Sequence, residues 1–432
     1  MKTLVTALGL LAGLFAGMGA WAQDTAGAQP GRVGIEVGML ALSATRAGGG
    51  EAWFTKEIAA FEEAHPDIDV TTLAIASPQK LERNIVNMPT LARNVVGVNS
   101  WQGCEAAWLA SRGHIVPIDN FLPDPDLSLD VFPANLFDAV TFGGKIWAVP
   151  WCTDHLVLAC NWPLFEEAGI DRPPETWAEF FAYAQQLTKD TNGDGQTDQW
   201  GVSAASYHDN IGFVVVTLMI QKDGHLFTKT GIDLSSPLLH EVFVTVQQWM
   251  DSGVFSKGMD ADKNWGMGFV KQELVNDLDQ NCRLALLPTW GRKVVCNDGT
   301  DYLAIRKSTP EEEKASWEFV KWISRKDVSM PEEWSGYPCR IDFVGRKDFK
   351  AIADNFGGTL ALIYTQNALM QDPGPPNLVN RNQALRLAAR YLGRAMAGEG
   401  NYESLMTIAT QEANQLIEVI PDPADAAVNL YK

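Results

Sequence analysis

A run of oxygen-bearing side chains lies between residues 190 and 198, in the sequence DTNGDGQTD. Oxygen ligands at alternate positions, with a glycine that permits a tight turn, are typical of the start of a Ca²⁺-binding EF-hand loop. The twelfth position, however, is Gly201 and not the glutamate that would bind the ion with both oxygens. Two interpretations stay open, a structural Ca²⁺ site and an Asx-rich turn without metal. The residues that would bind the ion are Asp190, Asn192, Asp194, Gln196 and Asp198.

Aromatic and polar side chains also occur where two predicted strands end. Trp101 and Gln102 follow the apolar strand VVGVNS, and Trp151 and Asp154 follow the strand IWAVP. Ligands of α/β proteins bind at the ends of sheet strands. A Trp ring covers the C–H face of a sugar or polyol, while carboxylates and amides bind its hydroxyls. The spacing therefore predicts a small-molecule site at these strand ends.

Most tryptophans in an α/β protein pack in the core, and the 15 in this chain include several with that pattern. Trp177, Trp317 and Trp322 lie at helical spacing among apolar neighbours. We expect these three side chains to be core residues and not ligand contacts.

Motifs of common enzyme classes are missing from the sequence. It contains no G-x-S-x-G, no H-E-x-x-H and no G-x-x-x-x-G-K-[ST]. His240 and Glu241 begin the metalloprotease pattern, but Val244 stands where its second histidine belongs. A secreted glycosidase stays open as an alternative, because two carboxylates on a cleft suffice for that chemistry and the chain has 53 acidic residues. The sequence favours binding over catalysis.

The charge balance limits the partners. The chain carries 34 basic and 53 acidic residues, a formal net charge of −19. Nucleic-acid binding needs basic surface that neutralises phosphates, so we exclude a nucleic-acid partner. An acidic protein leaves a polyamine or another non-sugar cation open as an alternative solute.

The N-terminus has the pattern of a secretory signal peptide. Lys2 precedes an apolar segment at 4–18, and Ala-Trp-Ala at 20–22 is typical of a cleavage site. We predict a signal peptide over 1–22 and a flexible mature N-terminus over 23–32. Later apolar runs are shorter than the ~20 residues of a membrane span, so we predict a periplasmic protein of a Gram-negative bacterium.

Six cysteines fit an oxidising compartment. Cys282 and Cys296 flank the segments LALLP and KVV, with TWGR between them, and would face each other in a β-hairpin. We therefore predict a Cys282–Cys296 disulfide. For the other four cysteines, bridges and free thiols both stay open.

Strands and helices alternate in the N-terminal half. Apolar runs at 33–42, 68–73 and 95–100 predict strands, and apolar residues at helical spacing predict a helix over 51–64, ended by Pro66. This alternation indicates an α/β protein with parallel strands covered by helices. The C-terminal third is predicted to be helical at 311–324, 377–397 and 401–418.

Several segments, in order, resemble one protein family. They are FEEAHPDIDV at 61–70, GHIVPIDNFL at 113–122, GKIWAVPW at 144–151, NWPLFEEAGI at 161–170 and DYLAIRKST at 301–309. The chain resembles the extracytoplasmic solute-binding proteins of ABC importers, in the family that includes maltodextrin-binding proteins. The resemblance implies a two-lobed α/β fold of hinge-bending periplasmic binding proteins, with the ligand cleft between the lobes. Lobe 1 would comprise 33–150 and 297–343, and lobe 2 would comprise 151–296 and 344–432.

The same resemblance implies further contacts at the cleft. Trp265 lies in a stretch similar to one that supplies a stacking tryptophan, and Gly299 lies in one similar to a glycine stretch that approaches the ligand. Tyr337 and Arg340 match a loop at the cleft. The loop from Ser43 to Gly50 would line the same cleft, with Thr45 and Arg46 as candidates.

The resemblance also implies the function and the partners. The protein would be a monomer without enzymatic activity that binds a sugar, a polyol or a sugar derivative and delivers it to the membrane permease subunits of the importer. If Arg46 and Arg340 both face the cleft, an acidic or sulfonated sugar is favoured.

Overall fold

The computed structural model describes thirteen stretches of the chain. They are residues 31–40, 49–75, 95–99, 105–153, 156–203, 211–256, 264–271, 281–296, 300–328, 337–343, 369–371, 378–396 and 398–421. The predicted signal peptide and nearly all of the predicted flexible segment lie outside these residues.

The described strands vary in length from two to eight residues. They are β1 Val33–Leu40, β2 Ile68–Ile75, β3 Val95–Asn99, β4 Ile115–Val116, β5 Thr141–Phe142, β6 Lys145–Ile146, β7 Val149–Thr153, β8 Leu156–Asn161, β9 Trp200–Val202, β10 Trp265–Lys271, β11 Cys282–Ala285, β12 Val295–Cys296, β13 Thr300–Arg306, β14 Tyr337–Pro338, β15 Met370–Gln371, β16 Leu378–Val379 and β17 Glu418–Val419.

The described α-helices cover the sheets that these strands form. They are α1 Gly49–Ala64, α2 Glu105–Ser111, α3 Trp162–Glu167, α4 Trp177–Leu187, α5 Ile211–Gln221, α6 Pro237–Asp251, α7 Pro310–Ile323, α8 Arg381–Met396 and α9 Tyr402–Leu416. Two of them begin at a capping box, α4 with Thr176 and Glu179 and α7 with Thr309 and Glu312.

Two sheets form the framework of the described chain. The large sheet has the strand order β14-β7-β13-β3-β1-β2, with β4 also paired to β13. The small sheet has the order β11-β8-β10-β9. In the large sheet β1 is parallel to β2 and β3, while β13 is antiparallel to its neighbours. In the small sheet β8 is antiparallel to both β10 and β11.

The chain passes between the two sheets at least twice. It leaves the large sheet after Thr153 and enters the small sheet at Leu156. It leaves the small sheet after Ala285, passes through β12 and re-enters the large sheet at Thr300. We call the edge of each sheet where these passages occur its crossover edge. Because β7 continues to Thr153 in the large sheet, the exact lobe limits stay a prediction.

Buried apolar residues explain why β8 lies inside the small sheet. The first five residues of this strand, Leu156 to Cys160, are all buried, as expected for a strand covered on both faces. The predicted core tryptophans Trp177 and Trp317 are each 3% exposed, which confirms that assignment. Trp322 is half-buried and packs edge-on against Phe61.

The predicted Cys282–Cys296 disulfide is wrong. Both residues are buried thiols that form no disulfide, as are the other three described cysteines. The two residues do not form a hairpin, because β11 pairs with β8 whereas β12 pairs with β15. Burial, and to a smaller extent the nearby Cys282, raises the pKa of the Cys160 thiol, so this thiol stays protonated and unreactive.

Candidate functional site

Strand ends meet at the crossover edge of the large sheet. The register places Thr153 of β7 opposite Thr300 of β13, and Asn99 of β3 opposite Asp301. Neighbouring strands lie about 4.8 Å apart, so these ends are adjacent. β1 runs parallel to β3 and ends at the same edge.

Six of the predicted ligand contacts flank these strand ends in sequence and lie outside the described residues. They are Thr45, Arg46, Trp101, Gln102, Asp154 and Gly299. The structure brings together the strands that lead into them, and their contact with a ligand stays a prediction.

Trp151 lies on β7 with a buried side chain, 8% exposed, and its carbonyl oxygen accepts a hydrogen bond from the Cys339 amide. The cavity beside it, lined also by Phe132 and Ser324, has a volume of about 10 Å³. That volume holds about one water molecule and no sugar ring. The packing therefore gives Trp151 a structural role in this conformation.

Arg340 is also buried and is bound within the chain. Its Nε and Nη2 donate to the two carboxylate oxygens of Asp342 at 2.8 and 2.9 Å, and its Nη1 donates to the Ser324 carbonyl at 2.9 Å. These bonds from Arg340 hold the pKa of Asp342 below its usual range. The guanidinium thus fixes this loop to the end of α7, which differs from its predicted role at the ligand. The backbone of Tyr337 pairs with Thr153 at the crossover edge.

Trp265 lies at the wrong end of its strand for the predicted contact. It is the first residue of β10, and the last residue, Lys271, is the one that pairs with Leu156 at the crossover edge. Six residues of extended strand separate the two ends by about 20 Å. The structure therefore places Trp265 away from the crossover edge, and its contact with a ligand stays a prediction.

The loop over 190–198 lies at the same distant edge as Trp265, because the Asn264 side chain donates to the Asp198 carbonyl at 2.9 Å. Both carboxylate oxygens of Asp190 accept backbone N–H bonds, from Gly193 at 2.6 Å and Gly195 at 2.7 Å. The hydrogen bond from the Gly195 backbone N–H is the main cause of the lowered pKa of Asp190.

Asx bonds of the same kind run through the rest of this loop, from the Asp194 amide to Asn192 and from the Gln196 amide to Asp194. No group of three or more His, Cys, Asp or Glu that could hold a metal occurs in the part of the chain that the structure describes. The hydrogen bonds suffice to define the turn, and bound Ca²⁺ stays a prediction.

Trp290 is a candidate that the sequence reasoning missed. It follows β11 by five residues, and β11 runs towards the crossover edge, since Ala285 pairs with Leu158 near the start of β8. Thr289 exchanges backbone bonds with Glu175 and Trp177 at the start of α4, and the other end of α4 leads to β9 at the distant edge. Both observations place Trp290 at the crossover side of the small sheet. Its side chain is half-buried.

The amide of Gln221 holds the Trp290 loop in place. Its Oε1 accepts from Trp177 Nε1 and from the Trp290 amide, both at 2.9 Å. Its Nε2 donates to the carbonyls of Pro288 at 2.9 Å and Val294 at 3.0 Å. Gln221 is 1% exposed, and three of the four hydrogen bonds of its side-chain amide go to the loop that carries Trp290.

The signal for Trp290 was present in the sequence. The apolar segment LALLP ends at Pro288 and is followed by a Trp two residues later, the same arrangement that singled out Trp101 and Trp151. Interpreting TWGR as the turn of a disulfide-linked hairpin concealed it.

A family comparison decides the assignment. The model of the family described as bacterial extracellular solute-binding proteins matches residues 47–330, more than half of the chain. The chain belongs to this family. Among the described residues no helix is long and apolar enough to cross a membrane.

Solved structures of other proteins share the fold. The sugar-binding protein MalE from Xanthomonas citri has a TM-score of 0.70 at 15% identity, and the match covers 93% of this chain and 100% of that protein. This likeness confirms the predicted two-lobed α/β fold of periplasmic binding proteins.

Curated relatives match over shorter segments. The mannitol-binding protein of Pseudomonas aeruginosa is 23% identical over 36% of this chain and 34% of its own length. The xylose/arabinose-binding protein of Haloferax volcanii is 29% identical over 29% of this chain and 27% of its own length. The matched segments thus span at most about a third of these relatives.

Proposed function

We propose that this protein is the substrate-binding component of an ABC importer and that it binds a sugar, a polyol or a sugar derivative between its two lobes. The observation that carries the proposal is that, in a chain of the solute-binding family, strand ends of each sheet lie together at the edge where the chain passes to the other sheet. Relatives named for mannitol and for xylose or arabinose support a carbohydrate-type ligand.

The crossings supply the moving part. At the first passage only residues 154–155 separate β7 of the large sheet from β8 of the small sheet, and at the second passage residues 297–299 separate β12 from β13. Short connections of this kind act as hinges when a few residues change their backbone angles. A solute that contacts both lobes lowers the free energy of the closed form relative to the open form. The lobes would comprise 33–150 with 297–343, and 151–296 with 344–432.

The closed form would dock on the permease subunits as a monomer and release the solute to them. We place the protein in the periplasm, exported by the predicted signal peptide over 1–22, and assign it no catalytic activity. Its family of extracellular binding proteins supports both statements.

Carbohydrate is favoured over a polyamine by the charges near the cleft. The loop that carries Trp290 continues with Arg292 and Lys293, both exposed, and a cationic ligand would be repelled there.

A thermal-shift screen of the purified protein tests the proposal. The panel holds sugars, sugar acids, sulfonated sugars, polyols and polyamines. A ligand well above its dissociation constant stabilises the folded state by mass action, so we expect a rise in melting temperature with at least one carbohydrate. A rise with polyamines alone, or hydrolysis of a glycoside, would contradict the proposed function.

A further inference from the structure

A cationic side chain lies over the Trp290 ring, and a second cation is close to it in the chain. The Lys222 Nζ lies 4.0 Å from the ring centroid, a cation–π contact. Lys222 also pairs with Glu241, and Arg292 Nη1 lies 3.0 Å from Asp223 Oδ1. A ligand that approaches the face of this ring therefore meets an ammonium group.

The cluster is locally basic in an acidic protein. Lys222, Arg292 and Lys293 carry three positive charges, against two negative charges on Glu241 and Asp223, whereas the whole chain has a net charge of −19. A cluster of this sign next to a half-buried aromatic ring fits an anionic partner.

The carboxylates that pair with these cations are open to solvent. The side chain of Glu241 is 51% exposed and that of Asp223 is 76% exposed. Ion pairs at such exposure contribute about 0–1 kcal/mol. Lys222 and Arg292 can therefore exchange their partners for a ligand anion at small cost.

We propose that the ligand is an anionic sugar derivative, in which a carboxylate or sulfonate binds Lys222 and Arg292 while the sugar ring packs against the part of the Trp290 ring that Lys222 does not cover. This inference rests on the proposed function and names the chemical class of its ligand. Closure of the cleft removes water from the ion pair, which strengthens the attraction between cation and anion. Charge-assisted hydrogen bonds to the anion then add specificity.

Titration calorimetry with matched ligand pairs tests the inference. The pairs are D-glucuronate with D-glucose and D-galacturonate with D-galactose, and 6-deoxy-6-sulfo-D-glucose adds the sulfonate case. We expect the tightest-binding sugar acid to have an affinity at least about tenfold higher than that of its neutral counterpart. A factor of this size corresponds to one hydrogen bond to a charged group. Comparison of the uronates with the sulfonate identifies the anionic group. Raising the salt concentration should weaken binding of the sugar acid and not that of the neutral sugar.

Two variants and one control separate the role of the cations from general effects of charge. Lys222→Gln and Arg292→Gln should each weaken binding of the sugar acid about tenfold and change the affinity for a neutral sugar by no more than about twofold. Lys229→Gln removes one exposed positive charge on the surface and should change neither. Equal melting temperatures of the unliganded variants would confirm that they fold.

The outcomes separate a failure of the anionic-ligand inference from a failure of the proposed function. Neutral sugars that bind as tightly as their acids, or an acid affinity unchanged in both variants, would overturn the inference and leave the proposed function standing. Failure of every carbohydrate to bind would overturn both.

Discussion

Gln221 offers a direct test of how the Trp290 loop is held. We predict that Gln221→Met, which keeps the side-chain volume, removes four hydrogen bonds from one buried amide. Two of the partners, Trp177 Nε1 and the Pro288 carbonyl, are buried, and each costs about 1–3 kcal/mol when left unpaired. The other two are partly buried and can bond to water. The expected loss in the free energy of unfolding is therefore about 3 kcal/mol.

Urea denaturation followed by circular dichroism measures this loss. Gln248→Met is the matched control, because Gln248 is exposed on α6 and surface changes usually stay within about 0.5 kcal/mol. Amide exchange over 288–294 should also accelerate in the Gln221 variant. A loss below about 1 kcal/mol, equal to that of the control, would refute the view that this amide positions the loop.

Three further predictions concern stability. The bonds from Arg340 lower the pKa of Asp342 in the folded state, so Asp342→Asn should lower the free energy of unfolding near pH 7. This loss relative to the unmodified chain should shrink as the pH falls below about 4. A loss that stays constant across this pH range in unfolding experiments would contradict the prediction. The five described cysteines are buried and form no disulfide, so a thiol reagent should modify them only after unfolding. A fall in melting temperature with reductant would show a disulfide among them. If the loop at 190–198 binds Ca²⁺, EDTA should lower the melting temperature, and Asp190→Asn should abolish that response. Melting curves unchanged by EDTA and by Ca²⁺ would show that the loop is an Asx-rich turn without metal.

Local elements were predictable from the sequence because local patterns specify them. The helix predicted over 51–64 is α1, Gly49–Ala64, and the helix predicted over 401–418 is α9, Tyr402–Leu416. Apolar spacing marks the face of a helix, and Pro66 prevents continuation of the first one.

Pairings between distant strands were not predictable in the same way. The Cys282–Cys296 prediction assumed that two neighbouring strands pair with each other, whereas β11 adds to β8, more than 100 residues earlier. Nothing in a local window specifies such a partner. The same limit explains Trp265 and Trp290, since the edge at which a residue lies depends on the direction of its strand in the sheet.

Side-chain environments also needed the fold. Arg340 was predicted as a ligand contact, and only the fold shows that Asp342 and Ser324 use its guanidinium. Trp151 lies at the predicted strand end, but its ring packs inward. A strand-end position therefore indicates a candidate, and the surrounding packing decides its role.

Hydrogen–deuterium exchange with and without the tightest-binding carbohydrate would test the central claim most directly. Binding between the lobes predicts slower exchange on both sides of the cleft, in peptides covering 151–156 of the first crossing and 286–300 of the Trp290 loop and second crossing. Protection confined to one sheet, or centred on the distant edge near residues 190–200 and 265, would contradict binding between the lobes.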